Sequence, residues 1–402
     1  MSRRTADDDL WASRRRHPTA RPVAPPRPSS TFVGLLVVLL ALNLLGLVMV
    51  LSASSVSALD TYGSSWHVVM RQGLWMAVGL IGCAVVMRVD YHRWRRLAAP
   101  ALAASGVLLA LVLIPGIGTS ANGATRWLGA GPLTFQPSEV AKLTVLVFVA
   151  DLLARRAAWM ADARVTLVPV LVVFGTIAGL LMLQPNLGTT LVLGAIVLAV
   201  LYVAGTPLLP LAGLSVVGAA TATVLALAAP YRRARVMAFL DPWQDYQDTG
   251  YQTIQSLVGL ASGGITGTGL GQSRAKWGFL PYAHTDFIFA IIGEELGLVG
   301  ALTVVGLVVA LCVLGARAAL LAPDRFGMLL AAGITAWFGV QAFVNIGAVI
   351  GILPITGVPL PFVSYGGTSL MINLVAAGLL LNVARQGRRR TGARPAAARG
   401  SR

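Results

Sequence analysis

Residues 267–297 read GTGLGQSRAKWGFLPYAHTDFIFAIIGEELG. A glycine-rich loop carrying Arg274 and Lys276 passes through His284 and Asp286. It then enters a long apolar run that holds a second acidic pair, Glu294-Glu295. A soluble core gains nothing from carboxylates at the head of a hydrophobic helix. Chemistry at a membrane surface does, because it needs an ionisable group where an apolar chain and a polar headgroup meet. The stretch reads as the outer mouth of a spanning helix, with Asp286 as the catalytic candidate.

Composition supports that reading. The 402 residues are 56% hydrophobic and 11% charged, with a mean hydropathy of +0.76. A soluble domain would carry about twice that share of charge. The apolar residues fall in blocks, so the expected class is an all-α polytopic membrane protein. Ten spans are expected, near 32–51, 69–86, 97–114, 140–153, 166–183, 187–203, 208–229, 287–314, 326–350 and 362–383. Several are shorter than the roughly 20 residues a bilayer requires, so their ends must reach into the polar flanks.

The formal charge of +16 does not indicate nucleic acid, because most arginines sit in the tails and in alternate loops. That asymmetry places both termini in the cytoplasm. Residues 1–30 read as a disordered tail, 31–385 as the membrane domain and 386–402 as a basic tail. The loops at 52–68, 115–139, 184–186, 230–286 and 351–361 then face outward. Cys83 and Cys312 both lie in apolar runs and are read as small core residues.

The outward loops carry the chemistry. The two lysines of the chain, Lys142 and Lys276, both fall there, with Arg126, Arg232, Arg233, Arg235 and Arg274. Positive charge on this face calls for an anionic partner, or for pairing with local acids. Pro137 starts a helix that puts Glu139 and Lys142 three residues apart on one face. The functional reading has Arg126 and Lys142 holding phosphate while Glu139 orients Lys142; a structural clasp is the plain alternative. Gln184 and Asn186 flank Pro185 at a turn where amides can meet a sugar or peptide, or simply close the turn.

In the largest loop, 230–286, Tyr251, Ile254, Val258 and Ala261 recur at helical spacing, so an amphipathic helix ended by Gly263-Gly264 is expected. Glu294 and Glu295 lie about 12 Å deeper than Asp286 at 1.5 Å per residue, and are expected to cap buried hydrogen bonds. Residues 356–367 cannot form a regular helix, and are expected to wall a cavity near Asp286, with Ser364 on it.

Five motifs carry a family resemblance: GATRWL (123–128), QPSEVAK (136–142), QPNLGT (184–189), LPYAHTDFIF (280–289) and LPITGVPLPFVSYGG (353–367). Across residues 31–385 the chain resembles the SEDS family of ten-span membrane proteins, and its division branch more than its elongation branch. The resemblance implies a peptidoglycan glycosyltransferase acting on lipid II, with Asp286 as the essential aspartate and Arg126, Lys142 and Glu139 beside it. Lys276, His284, Gln184, Asn186 and Ser364 complete the expected substrate-binding set. It also implies a class B penicillin-binding transpeptidase as partner and other division membrane proteins nearby. No cofactor is assigned, though a divalent cation, magnesium or manganese, could assist the chemistry. The chain departs from the family at Asn186, usually Asp, and at Tyr282, usually Glu. Two other classes fit the same pattern: a lipid II transporter, which would hold its ionisable residues at the midplane, and a non-catalytic scaffold, which would tolerate loss of Asp286.

Overall fold

The structure is a computed structural model that describes residues 29–121, 124–129, 134–160, 162–248 and 250–391, without the side chains of 121 and 388–391. The expected N-terminal tail lies almost wholly outside the described residues. Twelve α-helices account for the membrane domain: α1 (Ser30–Tyr62), α2 (His67–Arg88), α3 (Tyr91–Val112), α4 (Pro137–Arg155), α5 (Ala163–Leu183), α6 (Leu187–Ala204), α7 (Leu208–Ala228), α8 (Pro230–Leu240), α9 (Tyr251–Gly263), α10 (Ile288–Leu320), α11 (Arg325–Val349) and α12 (Gly367–Thr391). A two-stranded antiparallel hairpin, β1 (Gly118–Ala121) and β2 (Ala124–Leu128), stands between α3 and α4.

Among the described residues, nine helices are long and apolar enough to cross a membrane. The tenth expected span is α4. It is 19 residues long and largely buried, but Glu139, Lys142, Asp151 and Arg155 set it apart from the apolar nine. The chain is a multi-pass, all-helical membrane protein with a structured loop between α7 and α10.

Local chemistry explains the helix ends. Ser29 accepts the amide of Phe32 at 3.1 Å to start α1, and Gly63 ends it in the left-handed region. The chain 52–62, expected to be loop, is therefore the last three turns of α1; Ser55 and Ser57 bond back to the carbonyls of Ser52 and Ser54, and Ser52 bonds to α10, instead of breaking the helix. Asp90, Asp162 and Asp324 cap α3, α5 and α11. Pro137 takes the first turn of α4, as expected.

α12 is the central column: 83% of its apolar window is buried, against 6% for α7 at the periphery. α12 packs closely on α2 because the contacts are glycine. A Cβ at Gly378 would sit 2.8 Å from the Cys83 carbonyl, and one at Gly79 would sit 2.7 Å from Leu374. Small residues let helices approach where lipid supplies no hydrophobic drive between them. The last span enters five residues later than expected, at Gly367, because 350–366 is irregular.

α10 is broken at Gly297 (φ 65°, ψ −164°). The loop 264–269 lies against this break and replaces the missing helical bonds. Thr268 and Gly269 donate to the carbonyls of Glu294 and Glu295 at 2.9 and 3.0 Å, while Leu298 and Val299 donate to Gly264 and Ile265 at 2.9 and 3.2 Å. Irregular backbone at membrane depth survives only when satisfied in this way.

Candidate active site

Asp286 lies two residues before α10, at the end of a tight turn. Tyr282, at φ 59°, lets its carbonyl accept the amides of Thr285 (3.0 Å) and Phe287 (3.4 Å). Buried Ala283 and Phe287 anchor the turn. The carboxyl itself faces a cavity of about 1270 Å³. Burial raises its pKa from 3.8 to about 6, against the opposing charges of Arg235 and Arg126. A carboxylate poised near neutrality, with cations around it, is the electrostatic pattern of a general base.

Two amides on α11, one turn apart, hold the walls of the cavity together. Asn345 spends both protons of its Nδ2 on carbonyls, that of Asp286 at 2.8 Å and that of Val358 at 2.9 Å. Gln341 donates to the Pro359 carbonyl at 2.9 Å, and its Oε1 accepts Lys142 Nζ at 3.0 Å and Trp337 Nε1 at 2.7 Å. The loop expected at 356–367 is thereby stapled beside Asp286. Thr356, Gly357 and Pro359 line the cavity, and a Cβ on Gly357 would stand 3.6 Å from Asp286 Oδ2. Neither amide belonged to the expected set. Polar residues four apart inside an apolar helix are the signal that marks them.

Glu139 and Lys142 form an ion pair at 3.0 Å, both nearly buried, with the ammonium over the Trp337 ring at 4.9 Å. Both reach the cavity wall, as do Arg126 and Asn186. Arg126 projects from β2 and is fixed by the carbonyls of Gln184 (3.1 Å) and Pro185 (2.5 Å). Burial lowers its pKa.

Four expected residues lie off the cavity wall. Lys276 is buried in a separate cluster, 3.5 Å from Glu295 and donating to the Gly271 carbonyl at 2.5 Å. Glu294 and Glu295 do cap buried hydrogen bonds: Glu294 accepts the Arg274 amide at 2.8 Å and the hydroxyl of Ser273, and Glu295 accepts Ser52 Oγ at 2.7 Å. Lys276 supplies a cation beside Glu295, as a buried carboxylate pair needs. Gln184 turns its side chain inward to the Leu109 carbonyl at 2.9 Å. Ser364 Oγ is consumed by the Leu360 amide at 2.9 Å. His284 packs against Tyr365, ring centroids 5.6 Å apart, and burial lowers its pKa, so its imidazole is neutral at pH 7.

Among the described residues, no three His, Cys, Asp or Glu side chains converge as a metal site. A cation in the cavity would find two carboxylates on its wall, Asp286 and Glu139, and the second is already paired. The residues do not form a complete metal site.

Fold and cavity together define a membrane-embedded protein in which Asp286, Arg126, Arg235, Glu139 and Lys142 surround a large cavity. The sequence profile of the FtsW/RodA/SpoVE family, described as cell cycle protein, matches residues 33–389, and the chain belongs to that family. A "Probable peptidoglycan glycosyltransferase FtsW" of Mycobacterium tuberculosis (strain ATCC 25618 / H37Rv) is 45% identical over 89% of this chain and 68% of its own length. "Stage V sporulation protein E" of Bacillus subtilis (strain 168) is 41% identical over 88% and 97%. A solved structure described as "Structural coordination of polymerization and crosslinking by a peptidoglycan synthase complex" superposes with a TM-score of 0.74 at 33% identity, covering 88% of this chain and 98% of that one. Thermus thermophilus rod shape determining protein RodA superposes with a TM-score of 0.66 at 31% identity over 88% and 96%.

Proposed function

We propose that this chain is a peptidoglycan glycosyltransferase that polymerises lipid II at the outer face of the cytoplasmic membrane during cell division, with both termini in the cytoplasm. The relatives named as peptidoglycan glycosyltransferases support the activity. The observation that carries the mechanism is Asp286 on the wall of a large cavity, its proton affinity raised by burial beside Arg235 and Arg126.

Asp286 takes the proton from the 4-hydroxyl of the acceptor's N-acetylglucosamine. The freed oxygen bonds to the anomeric carbon of the donor's N-acetylmuramic acid with inversion, and the bond from that carbon to the diphosphate oxygen breaks. Undecaprenyl diphosphate leaves with the electron pair. A positioned base contributes about 10²–10⁴ in rate. The remainder comes from orientation and from cations that meet the departing charge, Arg126 first. Lys142 has two polar partners, Glu139 and Gln341, and acts here more by holding the wall than by travelling to the ligand. The resemblance to the synthase complex supports a transpeptidase partner.

The test is glycan formation from purified lipid II, with and without that transpeptidase. Asp286→Asn is expected to lose at least about 100-fold in rate; polymerisation at the wild-type rate would refute the base. Cells that divide normally on Asp286→Ala would favour a scaffold instead.

A further inference from the structure

Asn345 is 2% exposed and does not line the cavity, so it has no route to a bound substrate. Its two donations nevertheless end on both sides of the reactive carboxyl. One goes to the carbonyl of Asp286 itself, 2.8 Å away, in the turn that carries the carboxyl. The other goes to the carbonyl of Val358, 2.9 Å away, in the facing loop. The residue before Val358 is Gly357, where a Cβ would stand 3.6 Å from Asp286 Oδ2. Gly357 holds φ 73°, a conformation glycine adopts without strain, and the loop passes the carboxyl with no side chain between them.

That loop is tied down by side chains reaching its carbonyls: Arg235 on Ile355 at 3.4 Å, Asn345 on Val358 and Gln341 on Pro359. Gln341 has a second task, since its Oε1 also accepts Lys142 and Trp337. Asn345 has no second task. Its Oδ1 is buried with no hydrogen-bond partner, a cost to stability that a side chain serving only to fill the space would avoid. Both bonds it makes bear on the carboxyl.

Resting on the reaction proposed above, we infer that Asn345 is a positioning residue for it. By clamping the carbonyls of Asp286 and Val358 to one buried point on α11, it sets where the carboxylate stands relative to the acceptor's hydroxyl. A reacting group misplaced by about 1 Å loses roughly 100-fold in rate. Asn382 supplies the structural comparison. It is also a buried amide whose Nδ2 donates to two carbonyls, Val86 at 2.7 Å and Val89. It lies about 20 Å farther along α12 than Ser369, which lines the cavity.

The experiment measures polymerisation of purified lipid II by the full chain with its transpeptidase, per folded protein. Beside it runs an infrared pH titration of the Asp286 carboxyl, identified by subtracting the Asp286→Asn spectrum. Asn345→Leu is expected to lower kcat about 100-fold and to leave KM within about threefold. Water entering the loosened slot is expected to relieve the burial of the carboxyl and move its midpoint below about 6, Arg235 and Arg126 being the charged groups that face it. Asn345→Gln, which keeps both donors, is expected to recover about tenfold or more of the lost rate. Asn345→Ser, with one donor, is expected to fall between the two, and it keeps the test valid should the Leu variant fail to fold. Asn382→Leu is expected to lower the melting temperature while leaving kcat and the midpoint unchanged. An Asn345 variant with wild-type kcat and midpoint, a loss confined to KM, or an equal loss in Asn382→Leu overturns the inference. Wild-type protein that makes no glycan, with the midpoint still moved by Asn345→Leu, would sink the reaction and leave the placement of the carboxyl standing.

Discussion

Asp286→Asn should make the protein more stable at neutral pH while removing its activity. The ordinary aspartate pKa of 3.8 is raised to about 6 by burial, so the folded chain binds this proton more tightly than the unfolded one. Stability then falls as pH rises, because the native state holds more protons than the denatured state. The contribution is complete below pH 3.8, declines between there and about 6, and is gone above. Each tenfold change in proton affinity is worth about 1.36 kcal/mol, so ionised Asp286 costs up to about 3 kcal/mol at pH 8. Water in the cavity lowers that figure, since the carboxyl is only partly buried. Asparagine has the same shape and no charge to desolvate. Its variant should therefore melt above the wild type at pH 8 and together with it near pH 4. Tryptophan fluorescence melts in one detergent across that pH range measure the difference. An Asn variant that melts at or below the wild type at pH 8, or gains equally at both pH values, refutes the reasoning.

Three further outcomes follow from the same geometry. Polymerisation should rise with pH through about 6 as Asp286 ionises, and Arg235→Gln should move that limb to higher pH, because Arg235 is the larger of the two charges favouring the carboxylate; a pH–rate profile of each decides it. Lys142→Met or Glu139→Gln alone should destabilise by about 3–5 kcal/mol by stranding a buried charge, and the two together should recover much of that loss in thermal melts. Gly297→Ala should prevent recovery of folded protein, since a Cβ there would lie 2.3 Å from the Gly267 nitrogen; Gly306→Ala, in open space on the same helix, is the control that should be recovered normally.

The sequence reveals the spans because bilayer length and apolar composition leave few alternatives, and the helix at Tyr251–Gly263 because its period is 3.6. It conceals what depends on distant partners. Ser52 to Ser57 look like loop until Glu295 is seen to accept Ser52 from 243 residues away. Asp286, Arg126, Glu139, Lys142 and Asn186 line one cavity. Lys276 does not, although its loop leads straight to Asp286, because the nearest acid able to claim it arrives 19 residues later and folds back over it. Gln341 and Asn345 were readable in principle. Buried amides at positions four apart in an apolar helix must spend their protons on something, and here that is the backbone of Asp286, Val358 and Pro359.

The woven break in α10 fixes spacing as well as shape. Four amides bind across it in both directions between 264–269 and 294–299, so neither segment can slip by a residue without breaking all four. Adding or deleting a residue within 264–269 or 294–299 would break that register in the helix that follows Asp286. The largely exposed turn at 241–248 lies outside that ladder, and it is there that an epitope tag or a fluorophore should be accommodated.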